Sequence, residues 1–417
     1  MSTFETYDTD VHRRSGFTLS TRKIGNSALG VAAFLGGFVY FEPAPYELFV
    51  LPLLIVWFAF GLSLKRGFLP LTFLLLCYIL GGFMAATQRA DVSGAFIYIA
   101  TTAFLSLSAI FYAAVIAQNP VERLSIIFKA YIAAAFISAS VGILAYFHLL
   151  PGSEALLFGG RAQGTFEDPN VFGPFLVLPI LFLLRNILVK PFTRNLLTIF
   201  IFSVLMFGIF LAFSRAAWGM VVVTSGIMVL VTFASNPSPR LRGRMILLTL
   251  GLGLMAIGGI LVALSYDAVS DLFSQRARLV QSYDSAQFGR FARYSYGLIW
   301  ITEAPLGYGF GKFRETFGED SHNVFLKAFI VHGWLGGVAY LTFIISTLSI
   351  GVRHLFLRTP WQVYFQCVYV TIIGHVMVGM VVDTDRWRHI YLLYGLCWGM
   401  IAAERMLRKR LQYRELV

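Results

Sequence analysis

The sequence predicts an all-α, polytopic integral membrane protein. It should have about 12 transmembrane helices, with a large outward loop between the ninth and tenth. Three observations predict this. Of 417 residues, 58% are hydrophobic and 13% charged, whereas soluble domains carry about 25% charge. Apolar runs of roughly 20 residues, enough to cross a bilayer, recur along the chain. Lysine and arginine gather in alternate connections between those runs.

Taken in order, residues 1–23 are a polar tail carrying Arg13, Arg14, Arg22 and Lys23, which is not the pattern of a cleavable signal peptide. Spans are expected at 24–41, 46–63, 68–87, 92–117, 124–149, 171–188, 195–213, 216–234 and 245–264. A loop at 265–323 should hold amphipathic helices. Three more spans are expected at 324–346, 362–382 and 389–404, before a basic tail at 405–417. Ser214 and Arg215 alone join the seventh and eighth spans, so these form a tight hairpin. Cys77, Cys367 and Cys397 all lie in apolar runs without CxxC spacing, which argues against a disulfide framework or a cysteine metal site.

Charge sets the orientation. Twelve crossings put both termini on one side, and that side holds 21 of the 33 lysines and arginines. The short connections of the other side hold only Arg89, Arg161, Arg215, Arg386 and Arg388. The positive-inside rule places the termini in the cytoplasm. The net charge of +12 is largely this topology signal and does not point to nucleic acid. The 265–323 loop then faces outward, where there is no nucleotide pool. No Walker A sequence occurs, and Gly307-Tyr-Gly-Phe-Gly311 lacks its lysine and reads as a turn. Outward chemistry must draw on a substrate activated beforehand, or on an ion gradient.

Several outward residues are chemical candidates. Arg215 sits at a hairpin tip, where it either snorkels to lipid phosphates or grips a phosphate from rigid helix ends. Arg290 and Arg293 share a helix face. Phe291, Tyr294, Leu298 and Ile301 suggest that this helix lies along the membrane surface. His322 stands before Asn323, a candidate helix N-cap. Beside several arginines, a neutral imidazole could accept a proton from a sugar hydroxyl. His389, close to Asp385, is the competing base. Asp383-Thr-Asp385 has the DxD form, but helix capping or pairing with Arg386 or Arg388 is the expected role. His332 and His375 lie within apolar runs and are expected to be hydrogen-bonded inside the bundle.

Four stretches together resemble the O-antigen ligases and related lipid-linked polysaccharide polymerases. They are Gly164-Thr-Phe-Glu-Asp-Pro-Asn170, Phe213-Ser-Arg-Ala-Ala217, Gly289-Arg290 through Trp300 to Pro305-Leu-Gly-Tyr-Gly309, and Ser321-His-Asn-Val-Phe-Leu326 with Gly333-Trp-Leu-Gly336. Asp383-Thr-Asp-Arg-Trp-Arg-His389 resembles the exopolysaccharide-associated branch. His332 departs from the acidic residue the family typically carries before this glycine. The resemblance implies inverting glycosyl transfer on the periplasmic face of the bacterial inner membrane, without a metal or other cofactor. The donor would be a glycan on undecaprenyl diphosphate, and the acceptor a lipid- or saccharide-borne hydroxyl. His322 would be the base, and Arg215 and Arg290 would hold the diphosphate. Arg293 and Arg161 would add to the cationic set, with Asp168, Asn170 and Asn323 in support. Membrane lipids and glycan-assembly proteins, such as a flippase or a chain-length regulator, are the expected partners. A transporter or flippase is the alternative class. It would favour internal repeats and interrupted helices with midplane charge, and the sequence shows no repeat.

Overall fold

The computed structural model describes residues 16–59, 66–191, 195–276 and 289–415. These residues are almost wholly helical. Their one small sheet pairs Leu157–Phe158 with Arg161–Ala162. The helices are α1 (Gly16–Leu35), α2 (Pro45–Ala59), α3 (Leu69–Ala86), α4 (Val92–Gln118), α5 (Pro120–Tyr146), α6 (Pro169–Phe175), α7 (Val177–Val189) and α8 (Leu196–Leu211). They continue with α9 (Arg215–Ser235), α10 (Pro239–Ala263), α11 (Asp267–Arg276), α12 (Arg290–Glu303), α13 (Lys312–Phe317), α14 (Val324–His354), α15 (Gln362–Gly379) and α16 (Arg388–Glu415). Among the described residues, nine helical stretches are long and apolar enough to cross a membrane, with α6 and α7 counted as one. Helices α2 and α8 are apolar but shorter. The chain is therefore an all-α polytopic membrane protein.

Each expected span overlaps a helix among the described residues, with the last four residues of 46–63 lying outside them, but several ends move. α1 begins at Gly16, so Arg22 and Lys23 are helical and not part of a tail. α16 runs to Glu415, so most of the expected tail continues the last span. Helix does not stop at the hydrocarbon boundary, because lysine, arginine and glutamate are themselves good helix formers. Two spans are broken. The sixth is split into α6 and α7 behind Pro174, which cannot donate a helical hydrogen bond. The tenth, α14, is interrupted at Gly333.

Contacts sort the connections into two sets. At one end Arg22 and Asn26 hydrogen-bond Glu122, His354 meets Glu404 at 3.4 Å, and Gln366 bonds Ser235 at 2.9 Å. At the other, Tyr40 bonds the Ala155 carbonyl at 2.5 Å, Arg89 pairs with Glu315, Ser214 bonds Asn170, and Arg388 pairs with Glu47. This is the pattern that alternating crossings produce. α4 and α16 form the centre, with 72% and 83% of their spanning windows buried. By contrast α10 is only 6% buried and presents its apolar side chains outward, as a lipid-facing helix does.

Candidate active site

His322 lies at the second of these ends, just before α14. Its φ of 50° is left-handed, an uncommon conformation for a residue with a Cβ, of the kind that clusters at functional sites. The local sequence enforces it. Asn323 caps α14, accepting from the Phe325 and Leu326 amides at 3.0 and 3.1 Å. That fixes the chain direction one residue later. The imidazole is 35% exposed. Its Nε2 is 3.5 Å from Glu319 and its Nδ1 is 3.9 Å from Asp383. Among the described side chains, the charges facing the ring are thus carboxylates.

α12 carries the reason. Arg293 is turned inward and only 3% exposed. It donates to Glu319 at 2.6 Å and to the Asp320 carbonyl at 3.2 Å. The hydrogen bond from Arg293 holds Glu319 below its ordinary carboxyl range. Leu298 and Ile299 point out instead. So α12 buries Arg293 in the loop and shows Leu298 and Ile299 outward. Tyr294 donates to the Met380 carbonyl at 2.9 Å, which ties α12 to the end of α15. Arg290 opens α12, and its side chain lies outside the described atoms.

A second group forms around the hairpin. Ser214 caps α9, accepting from the Ala217 amide at 3.3 Å, so Arg215 is the first residue of a rigid helix. Asn170 accepts from Ser214 at 2.9 Å and from Arg161 at 3.0 Å. Arg161 also donates to the Ala212 carbonyl at 2.9 Å and is 5% exposed. Asp168 caps α6 through the Asn170 amide at 2.7 Å. Arg161, Asp168 and Asn170 are therefore brought together as a brace beneath Arg215. α15 connects the two groups: its Gly374 lies against Thr224 and Met220 of α9, and its Gly379 against Val324 of α14.

Sequence reasoning missed a buried ionic cluster beside His322. Lys327, one turn into α14, reaches Asp385 at 3.2 Å and both Asp383 and Asp320 at 3.8 Å. Asp385 also accepts from the Tyr98 hydroxyl of α4. Arg386 and Arg388, the expected partners, pair instead with Glu42 and Glu47. Burial works to raise both carboxyls. It prevails at Asp383, which sits above the usual range. At Asp385, Lys327, the Tyr98 hydroxyl and Arg386 outweigh it and hold the group low. A signal was present, since Lys327 is the only charge between 324 and 352. Ionisable residues within apolar spans are costly and tend to be functional.

Residues 197–341 match a family model described as O-antigen ligase. The match supports membership of the O-antigen ligase superfamily. No curated protein matches the chain. The matched residues include Arg215, α12, His322 and Lys327; Arg161, Asn170 and the Asp383–Asp385 loop lie outside them. For O-antigen ligases the general implication is glycosyl transfer at the periplasmic face, of ligase or polymerase type, between a lipid-linked glycan donor and an acceptor.

Within the matched region the structure explains two glycine motifs at once. In an unbroken helix the Trp334 amide would donate to the Ile330 carbonyl. Here that pair is opened and the loop is spliced in. Trp334 donates to Pro305 at 2.8 Å, and Tyr308 donates to Ile330 at 2.8 Å. Gly307 and Gly333 face each other with φ of 81° and 64°. A Cβ on Gly307 would lie 2.5 Å from the Gly333 nitrogen, and one on Gly333 would lie 2.6 Å from the Leu306 carbonyl. His332, beside the break, donates from Nδ1 to the Tyr78 carbonyl at 3.0 Å and stacks on the Tyr78 ring at 3.9 Å, a bundle role as expected. His389 differs from expectation. It is 3% exposed and enclosed by His375, Trp387 and Phe175, so its imidazole is closed off from solvent.

Proposed function

We propose that the protein transfers a glycan from undecaprenyl diphosphate to an acceptor hydroxyl at the periplasmic face, with inversion. The half-open His322, held in a left-handed conformation between Asp383 and Glu319, is the observation that carries this reading. His322 takes the proton of the acceptor hydroxyl, and Asp383 steadies the imidazolium that forms. Arg215, on the rigid start of α9, and Arg290 stabilise charge on the departing diphosphate. Fixed cationic donors at the leaving oxygens do the work a metal would otherwise do. Arg161 and Arg293 act one step back, by bracing the hairpin and the loop. Ligase and polymerase forms of this reaction share the donor, the leaving group and the base, and differ in the acceptor.

The break in α14 is a feature transporters also use. Here its free backbone groups are satisfied by Pro305 and Tyr308, not left open to a ligand. The buried charges sit at the bundle end, beside His322. Transfer is therefore the better reading. It is tested by release of undecaprenyl diphosphate, the common product of either form, from membrane vesicles carrying the native lipid-linked glycan. A general base contributes about 10²–10⁴-fold, so His322→Ala should lose that much while still inserting in the membrane, and EDTA should change nothing. Near-normal release by His322→Ala would overturn the assignment.

A further inference from the structure

We propose that Lys327 is a positioning residue that acts on His322 through Asp383. The inference rests on the transfer reading above. Lys327 and His322 belong to one rigid piece: the Asn323 carbonyl accepts from the Lys327 amide at 2.9 Å, so the ammonium rises from the first turn of the helix that His322 precedes. The residue is 9% exposed. It lies below the rings of Tyr98 and Phe310, at 5.6 and 6.0 Å from their centroids. A cation is held there only because carboxylates converge on it from two other segments, the 320 turn and the 383–385 loop.

Asp383 is the shared member. The same Oδ2 lies 3.8 Å from the Lys327 nitrogen and 3.9 Å from His322 Nδ1. No other described basic group is paired with it. Without Lys327, a largely buried carboxyl would lie against a buried Asp385, and the pair would hold a proton or move apart. Either change removes the negative charge that orients the imidazole and receives it as an imidazolium. Lys327 thus favours the charged form of Asp383 and holds the carboxyl in place. Asp385, tied to Tyr98, fixes Lys327 from the opposite side.

Removing Lys327 alone would leave three carboxylates without their shared cation, and misfolding could mimic the effect. The test therefore compares Asp385→Asn with Lys327→Met/Asp385→Asn in the full-length protein. The second substitution removes one buried acid to match the lost cation, and its amide can still accept from Tyr98. Melting temperature is read alongside undecaprenyl diphosphate release from vesicles carrying the native donor. The double variant should melt within a few degrees of Asp385→Asn. It should lose a further tenfold or more in kcat, with the KM for donor unchanged. If it is as active as Asp385→Asn, Lys327 is merely structural and the proposal falls. His322→Ala, run in parallel, separates the two claims. If it is inactive while the double variant is active, Lys327 alone is misassigned. If His322→Ala is itself active, the transfer reading falls and this inference with it.

Discussion

The splice between the loop and α14 makes the sharpest stability prediction. Gly333→Ala places a methyl 2.6 Å from the Leu306 carbonyl carbon and oxygen and 2.8 Å from the Pro305 oxygen. It also asks alanine to adopt φ 64°, ψ −171°, a region that is essentially glycine-only and costs about 1–3 kcal/mol. If the 305–308 segment is pushed out, two hydrogen bonds are lost, each worth about 1 kcal/mol net. The sum is about 4 kcal/mol. The assay is thermal unfolding in detergent, with Gly219→Ala as control; Gly219 is helical and has no neighbour within 4 Å of a built Cβ. The control should be neutral or slightly stabilising. Equal melting of Gly333→Ala and the parent would refute the splice as a stabilising contact.

Three further outcomes are expected. A cysteine at Ser285, in the loop outside the described residues, should react with a membrane-impermeant reagent in cells with a permeable outer membrane, and a cysteine at Ser238 should not; the reverse pattern overturns the orientation. Arg215→Lys keeps the charge but loses the planar fork, and it should reduce transfer at least tenfold while inserting normally, so full activity would exclude a bidentate phosphate grip. Glu319 is held below its ordinary 4.5, first by the hydrogen bond from Arg293. A carboxyl with a lowered folded value stabilises above its unfolded value and loses that contribution as pH falls through the folded one. Amide hydrogen exchange across 312–323 should therefore quicken below pH 4.5, and Glu319→Gln should remove that acid-dependent step.

Helix positions were legible because long apolar runs mark membrane-spanning helices directly. Helix ends were not, because Arg22 at one terminus and Arg408 at the other suit helix as well as tail. The spacing of Arg290 and Arg293 shows that they share a face, but not that Arg293 turns inward. That depends on Glu319, 26 residues further on. The partners of Asp383 and Asp385 were misread for the same reason. Neighbouring Arg386 and Arg388 were the obvious candidates, yet the chain sends them to Glu42 and Glu47, more than 340 residues away in sequence. Gly307 and Gly333 were each visible as glycine motifs. Nothing in one dimension says that each leaves room for the other.

These long-range links converge on α14. Its break receives the loop, its N-cap sets the backbone of His322, and its first turn carries the cation that organises Asp383. Arg293 and Tyr294 then bind α12 to the turn before His322 and to the end of α15. α15 in turn packs along α9, which begins at Arg215. His322 and the arginine-bearing elements are thus joined through packed helices and not through a mobile loop. A transfer reaction that relies on fixed charge needs this arrangement. Donors held in place before the reaction cost no reorganisation when the diphosphate leaves, whereas a base displaced by 1 Å can lose about a hundredfold in rate.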